Sequence, residues 1–130
     1  MPPVSVVVVD SSAWIEFFRG REIPLLEEAL AEGRVRVPPL VLAELVSGAT
    51  TRGDRLRVED LARTLDLVPT PREHWIRVGA LRRRLRAAGH SVSTPDAHVA
   101  QCALDMGGIL LATDAVFRRI ASTARLKLAP

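Results

Sequence analysis

Short apolar runs alternate with longer amphipathic stretches along this chain. Val6-Val7-Val8-Val9 is a continuous β-branched run that stops at Asp10, so residues 4–9 predict a buried parallel strand. Ser11 or Ser12 can cap the helix expected next, whose apolar residues are Trp14, Ile15, Phe17 and Phe18 and which Gly20 ends. A second helix is expected over 24–32, with Pro24 near its start and Gly33 past its end. Val35 to Val37 reads as a short strand, and Pro38-Pro39 starts a helix that runs through Ser47 and closes near Gly48. The stretch Thr50-Thr51-Arg52-Gly53-Asp54 is loop-like; an amphipathic helix over 55–65 and the short strand Leu67-Val68 follow it.

Thr70-Pro71-Arg72-Glu73 has the form of a capping box with proline at the first helical position. The helix it opens runs to about Ala88 and stops at Gly89, with Val78, Leu81 and Leu85 at core spacing and arginines on its other faces. Thr94-Pro95 starts the next helix, which ends at Gly107-Gly108. A strand over 109–112, a helix over 114–121 and a terminal strand over 126–129 complete the pattern. Strands that alternate with helices in this way predict an α/β sandwich around a central, mostly parallel sheet. With 130 residues and no repeat or linker, a single domain over 1–130 is expected, which buries roughly two-thirds of its unfolded surface.

Composition narrows the classes. Hydrophobic residues make up 48%, which argues against disorder, and no apolar run approaches the roughly 20 residues of a bilayer span. No basic segment precedes the first apolar run, so no signal peptide is expected and the cytoplasm is the default location. The single cysteine, Cys102, excludes an internal disulfide and a cysteine-rich zinc site; it reads as a small buried residue. The net charge is +3, and every basic residue but Lys127 is arginine. Arginine suits phosphate because its planar fork binds two oxygens at once, although a GC-rich genome produces the same bias.

Four carboxylates carry the chemistry. Asp10 ends the first strand, Asp114 follows the strand over 109–112, Asp96 opens a helix after Thr94-Pro95, and Glu44 sits among apolar neighbours on its own helix. Ligands in open parallel sheets bind beyond the carboxyl ends of the strands, where Asp10 and Asp114 lie and which Asp96 can reach. Each acid also has a purely structural reading: helix caps for Asp10, Asp96 and Asp114, and an exposed stripe for Glu44. As a group they point elsewhere. Two like charges about 4 Å apart repel by about 4 kcal/mol at an effective dielectric near 20, so such a cluster holds raised pKa values or binds a cation. Oxygen-only ligands select Mg²⁺, with Mn²⁺ as a substitute, and not zinc.

The same residues resemble a known family. Val9-Asp10-Ser11-Ser12 is similar to the opening motif of PIN-domain ribonucleases, and Leu42-Ala43-Glu44-Leu45 with Gly48 to their second motif. Asp96-Ala97-His98-Val99-Ala100 resembles the helix bearing their third acid, and Leu110-Leu111-Ala112-Thr113-Asp114-Ala115-Val116-Phe117 their last strand, fourth acid and aromatic. The set spans nearly the whole chain and looks most like the VapC toxins of type II toxin–antitoxin pairs. Two positions depart from the pattern: Val116 stands where many relatives carry a second acid, and His98 where an apolar residue is common. The resemblance implies a PIN-like three-layer α/β/α sandwich and Mg²⁺- or Mn²⁺-dependent hydrolysis of RNA phosphodiester bonds by a metal-activated water. It also implies that Asp10, Glu44, Asp96 and Asp114 hold the metal, directly or through water. Ser11 would orient a water or phosphate, unless it only caps the helix. A homodimer and a VapB-like antitoxin that masks the site are implied as partners, with no membrane.

Outside the acids the readings diverge. Arg82, Arg83 and Arg86 can follow an RNA backbone or simply form a solvated helix face. Arg19 and Arg21 can face the crevice or an acidic antitoxin segment, while Trp14, Phe17 and Phe18 divide between core and a partner groove. His74, His90 and His98 are too scattered in sequence to predict a site. Two rival functions remain: a haloacid-dehalogenase-like phosphatase, which usually wants a second Asp where Ser12 stands, and a non-catalytic RNA- or protein-binding PIN domain.

Overall fold

A computed structural model describes residues 5–130, so the expected strand residue Val4 lies outside the described residues. The strands are β1 (Val7–Val9), β2 (Val35–Val37), β3 (Asp66–Leu67), β4 (Ile109–Leu111) and β5 (Lys127–Leu128). The helices are α1 (Ser11–Phe18), α2 (Pro24–Ala31), α3 (Pro39–Gly48), α4 (Arg52–Thr64), α5 (Arg72–Ala87), α6 (Thr94–Met106) and α7 (Val116–Ala121). All four strand pairings are parallel, in the order β3-β2-β1-β4-β5, with helices on both faces. The predicted layered α/β sandwich is therefore observed.

Several element ends differ from expectation for local reasons. β1 begins later than predicted because its ladders start at Val7. The loop-like segment before α4 is in fact the start of that helix: the Thr51 hydroxyl accepts a hydrogen bond from Asp54 N at 3.1 Å, so helical geometry begins at Arg52. The expected capping box does not form. Pro71 occupies the N-cap of α5 and no side chain caps it, so Thr70 has no role there. α1 is capped by Asp10, whose Oδ2 accepts from Ser12 N, and not by either serine. α7 starts two residues late, after Asp114 Oδ1 accepts from Val116 N at 3.0 Å.

α6 is the buried spine. Ala97 to Ala103 are all buried, which a helix tolerates only when it is wrapped by neighbours. α5, α3 and α7 pack around it, and its sheet side lies on β1 and β4. Its small residues let those elements approach closely. The helix leaves through Gly107 in the left-handed conformation (φ 61°), a position that L side chains adopt only at a cost. Gly108 then passes against the start of β1. A Cβ there would lie 2.5 Å from Val6 O, while Ile109 N already donates to that same oxygen at 2.9 Å.

That close approach fixes how β4 enters the sheet beside β1. Gly108→Ala is therefore expected to destabilise the fold by about 1–3 kcal/mol, since backbone cannot yield as a side chain does. The midpoint of urea unfolding reads this directly; an unchanged midpoint would show that the strand entry is loose.

Candidate metal centre

The chain first builds the sheet outward from β1 through β2 to β3, then returns to add β4 on the other side of β1. Such a reversal opens a crevice at the carboxyl ends of the two central strands, where no connection crosses. Val9 pairs with Leu111 in register, and Asp10 N donates to Leu111 O at 2.9 Å. Asp10 is thus the first residue past β1, still tied to β4, and only 6% exposed. Its carboxylate is fixed by Ser12. The Ser12 hydroxyl donates to Asp10 Oδ2 at 2.6 Å, and Ser12 N donates to the same oxygen at 3.2 Å. The Ser12 Oγ in turn accepts from Thr113 N at 3.1 Å, so one hydroxyl links Asp10 to the loop that carries Asp114.

Asp96 reaches the crevice from α6, which runs toward β4 with its first turn at the carboxyl edge. Ser93 caps that turn, its Oγ accepting from Asp96 N at 3.2 Å. Burial pushes the Asp96 carboxyl above the ordinary aspartate range, and the charges of Asp10 and Asp114 push the same way against the Ser93 hydrogen bond and Arg119. Glu44 arrives from α3, which packs on both α1 and α6. Its carboxyl is also raised, by burial first and then by Asp10 and Asp96, although the Ser11 hydroxyl donates to its Oε2 at 3.3 Å. Glu44 is thus raised in part by Asp10 and Asp96, and Asp96 in part by Asp10 and Asp114. Glu44, which strand geometry alone did not bring to the edge, is brought there by the packing of α3.

The donor set is carboxylate and hydroxyl oxygen, with one arginine acting on Asp96. Such a set fits a hard divalent cation and not a soft one. From the sequence Ser12 is a helix-cap candidate and motif residue without a role at the acids, and Arg119 has no role at all. A hydroxyl two residues after an acid at a helix start is a signal for Ser12; nothing in the sequence marks Arg119, whose proximity comes from the packing of α7 on α6.

The arginine helix is more divided than its sequence suggests. Arg82 Nε donates to Val92 O at 2.9 Å, so that guanidinium is partly spent on holding the α5–α6 connection. Arg83 and Arg86 are exposed. Arg19 lines a groove with Ser11 and Glu44, while Arg21 is paired with Glu16. Trp14 is buried, and Phe17 and Phe18 pack against it partly exposed. The expectation that the histidines are scattered is wrong for two of them. His74 Nε2 and His98 Nδ1 lie 2.8 Å apart and are fully buried, because α5 packs along α6.

A parallel α/β sandwich with acids at its switch point defines a class, and residues 7–122 match the PIN domain model. The chain belongs to the PIN domain family. It is 30% identical over 128 residues to an uncharacterized PIN- and TRAM-domain-containing protein of Synechocystis, covering 98% of this chain. The chain spans about a third of that relative's length, 34%. Among solved structures, VapBC2 of Rickettsia felis bound to a promoter DNA fragment superposes with a TM-score of 0.75 at 17% identity, covering 95% of this chain and 97% of that one. VapBC-1 of nontypeable Haemophilus influenzae gives 0.74 at 19%, covering 95% and 96%. VapBC-5 of Mycobacterium tuberculosis gives 0.68 at 25%, covering 95% and 97%. The domain thus has the VapC-type form of the PIN fold. No helix among the described residues is long and apolar enough to cross a membrane.

The raised acids set a stability prediction with a definite sign. Glu44 and Asp96 hold protons to higher pH folded than unfolded, so the metal-free fold carries a charge penalty above those values that is relieved as pH falls through them. The metal-free protein should therefore gain stability as the pH falls from neutrality toward the ordinary glutamate value of 4.5. Asp105, whose pKa is lowered, acts oppositely, but only below its ordinary value of 3.8, outside that window. Glu44→Gln should flatten this slope and raise the neutral-pH melting temperature in chelator by roughly 1–4 °C. Thermal melts across that pH range check it; an unchanged slope would mean that the fold does not raise the Glu44 carboxyl.

Proposed function

We propose that this chain is a Mg²⁺- or Mn²⁺-dependent endoribonuclease and the toxin of a type II toxin–antitoxin pair. The observation that carries the reading is the placement of Glu44 and Asp96, both raised by burial and by neighbouring acids, beside Asp10 and Asp114 at the switch point, where a cation would offset the gathered charge. Asp10, Glu44, Asp96 and Asp114 would hold the ion, directly or through water. When bound, Mg²⁺ or Mn²⁺ supplies Lewis acidity toward a phosphodiester oxygen and makes water a competent nucleophile at neutral pH.

The chain's own residues do the rest. Ser12 holds Asp10 in one rotamer, so its carboxylate is preorganised without depending on the ion. Ser11 orients Glu44 in the same way. Arg119, already close enough to act on Asp96, is suited to hold a phosphate beside the acids, and Arg83 and Arg86 offer exposed cations farther along the RNA. A groove of about 250 Å³ lies between α1, α3 and α4, lined by Ile15, Phe18, Leu45 and Val58 with Arg19, and reaches Ser11 and Glu44. An antitoxin segment with apolar and acidic side chains would fit it and cover one side of the acid cluster. The VapBC complexes that share the fold support an antitoxin partner; a homodimer is a further expectation, carried by the family resemblance alone.

Purified protein should cleave RNA with Mn²⁺ and not in chelator, and Asp10→Asn or Asp96→Asn should each lower the rate by about 100-fold or more. Intact cleavage in both variants would contradict the reading. Arg119→Ala should weaken RNA binding and lower the slope of log affinity against log salt by about one, as expected for one lost phosphate contact; filter binding across salt concentrations measures it, and an unchanged slope would remove Arg119 from the RNA surface.

A further inference from the structure

The start of α3 poses a capping problem. Pro38 at the N-cap carries no side-chain oxygen, and Pro39 has no N–H. Val41 N and Leu42 N both donate to Pro38 O, at 2.9 and 3.2 Å. That leaves the Leu40 N–H, one turn before Glu44. It donates across to His98 Nε2 on α6 at 3.4 Å. His98 thus does from a neighbouring helix what a serine or aspartate usually does from the N-cap.

This one bond sets the direction of a longer chain. An Nε2 that accepts carries no proton, so the neutral His98 ring holds its proton on Nδ1 and donates to His74 Nε2 at 2.8 Å. His74 is then forced into the same form, and its Nδ1 proton goes to Asp105 Oδ2 at 2.7 Å. Asp105 can only accept. Arg77 holds it through Nε at 2.8 Å and its Nη2 at 3.0 Å, and Gln101 Nε2 donates at 2.9 Å. Trp75 stacks on the His98 ring, centroids 4.8 Å apart and planes 6° from parallel, which locks the ring's plane. Every donor in the chain meets an acceptor, in one sense only.

A rival reading is a transition-metal site. His74, His98 and Cys102 are all buried, with ligand atoms within 4.8 Å of one another. The geometry disfavours it. The thiol sulfur lies 3.9 and 3.7 Å from the two nitrogens of His98, nearly equidistant and so off both lone-pair directions. The two histidine nitrogens are closer, at 2.8 Å, than the roughly 3.3 Å that two nitrogens keep on one tetrahedral zinc. Ligation through either His98 nitrogen would also leave the Leu40 N–H without its acceptor.

We propose that the chain Arg77–Asp105–His74–His98 caps α3 from α6 and so holds Glu44 in position opposite Asp96. His98 and His74 are positioning residues. The inference rests on the metal-centre reading for its consequence, but not for the hydrogen-bond chain itself. α3 and α6 contribute one acid each, and this hydrogen bond ties the first turn of α3 to α6.

The tautomers come first, because they need no variant. ¹⁵N NMR of histidine-labelled protein should find both His74 and His98 protonated on Nδ1, the reverse of the form that prevails in free histidine. Either ring protonated on Nε2 would overturn the chain. So would a thiolate-to-metal absorption band on adding Cd²⁺ that Cys102→Ser abolishes. The second measurement is Mn²⁺ affinity in two variants. His98→Met keeps the volume without an acceptor, and His98→Gln restores a carbonyl for Leu40. The Met variant should bind Mn²⁺ about tenfold more weakly, the Gln variant should recover part of that, and the Met effect should vanish in a Glu44→Gln background. A Met effect that persists undiminished beside Glu44→Gln would overturn positioning through Glu44. If the unaltered protein binds no Mn²⁺, the metal-centre reading fails, while the tautomers still decide whether the chain exists.

Discussion

Like-charge repulsion at the switch point between β1 and β4 is the constraint around which the rest of this molecule is arranged. Asp10 and Asp114 follow the two central strands, Asp96 and Glu44 come from α6 and α3, and burial together with neighbouring acids raises Glu44 and Asp96. Nothing in the folding of the sheet requires this. The local devices oppose the repulsion only in part: a helix start and Ser93 favour Asp96 as an anion, Ser11 favours Glu44, and Arg119 supplies one cation. In the proposed reading, a bound divalent ion would offset the charge that these devices leave.

The cluster can persist without a counter-ion only if its supports are rigid. Two observed features supply that rigidity. Ser12 bridges Asp10 and the loop before Asp114, so the two strand-end acids share one hydroxyl. Behind them, α6 is buried along most of its length, and its polar side chains His98 and Gln101 are satisfied by partners on α3, α5 and α6 itself. Buried polar groups that are fully paired specify a unique packing. The helix that carries Asp96 is thus held from several sides.

Much of this was legible in the sequence. Short β-branched runs marked the strands, and Gly20, Gly33, Gly89 and Gly107 marked chain reversals where φ is positive. Proline at helix starts and the order of elements were enough to predict a mostly parallel sheet, and the acids at strand ends followed from that. What escaped detection was whatever depends on two helices meeting. Glu44 is brought to the edge by the packing of α3 on α1 and α6, not by a strand. His74 and His98, 24 residues apart, look unrelated until α5 lies along α6. The Thr51 cap that begins α4 turns on one hydroxyl rotamer, and the missing cap at Thr70 on a helix whose N-cap falls one residue later, at Pro71; composition determines neither.

The central claim is that the switch-point acids, and not the buried histidines, form the divalent cation site. Anomalous scattering from Mn²⁺-soaked crystals tests it in one measurement. The account predicts a manganese peak among Asp10, Asp96 and Asp114, with Glu44 beside it directly or through water, and none at His74 and His98. A peak at the histidines, or an empty strand-end crevice at saturating Mn²⁺, would contradict it.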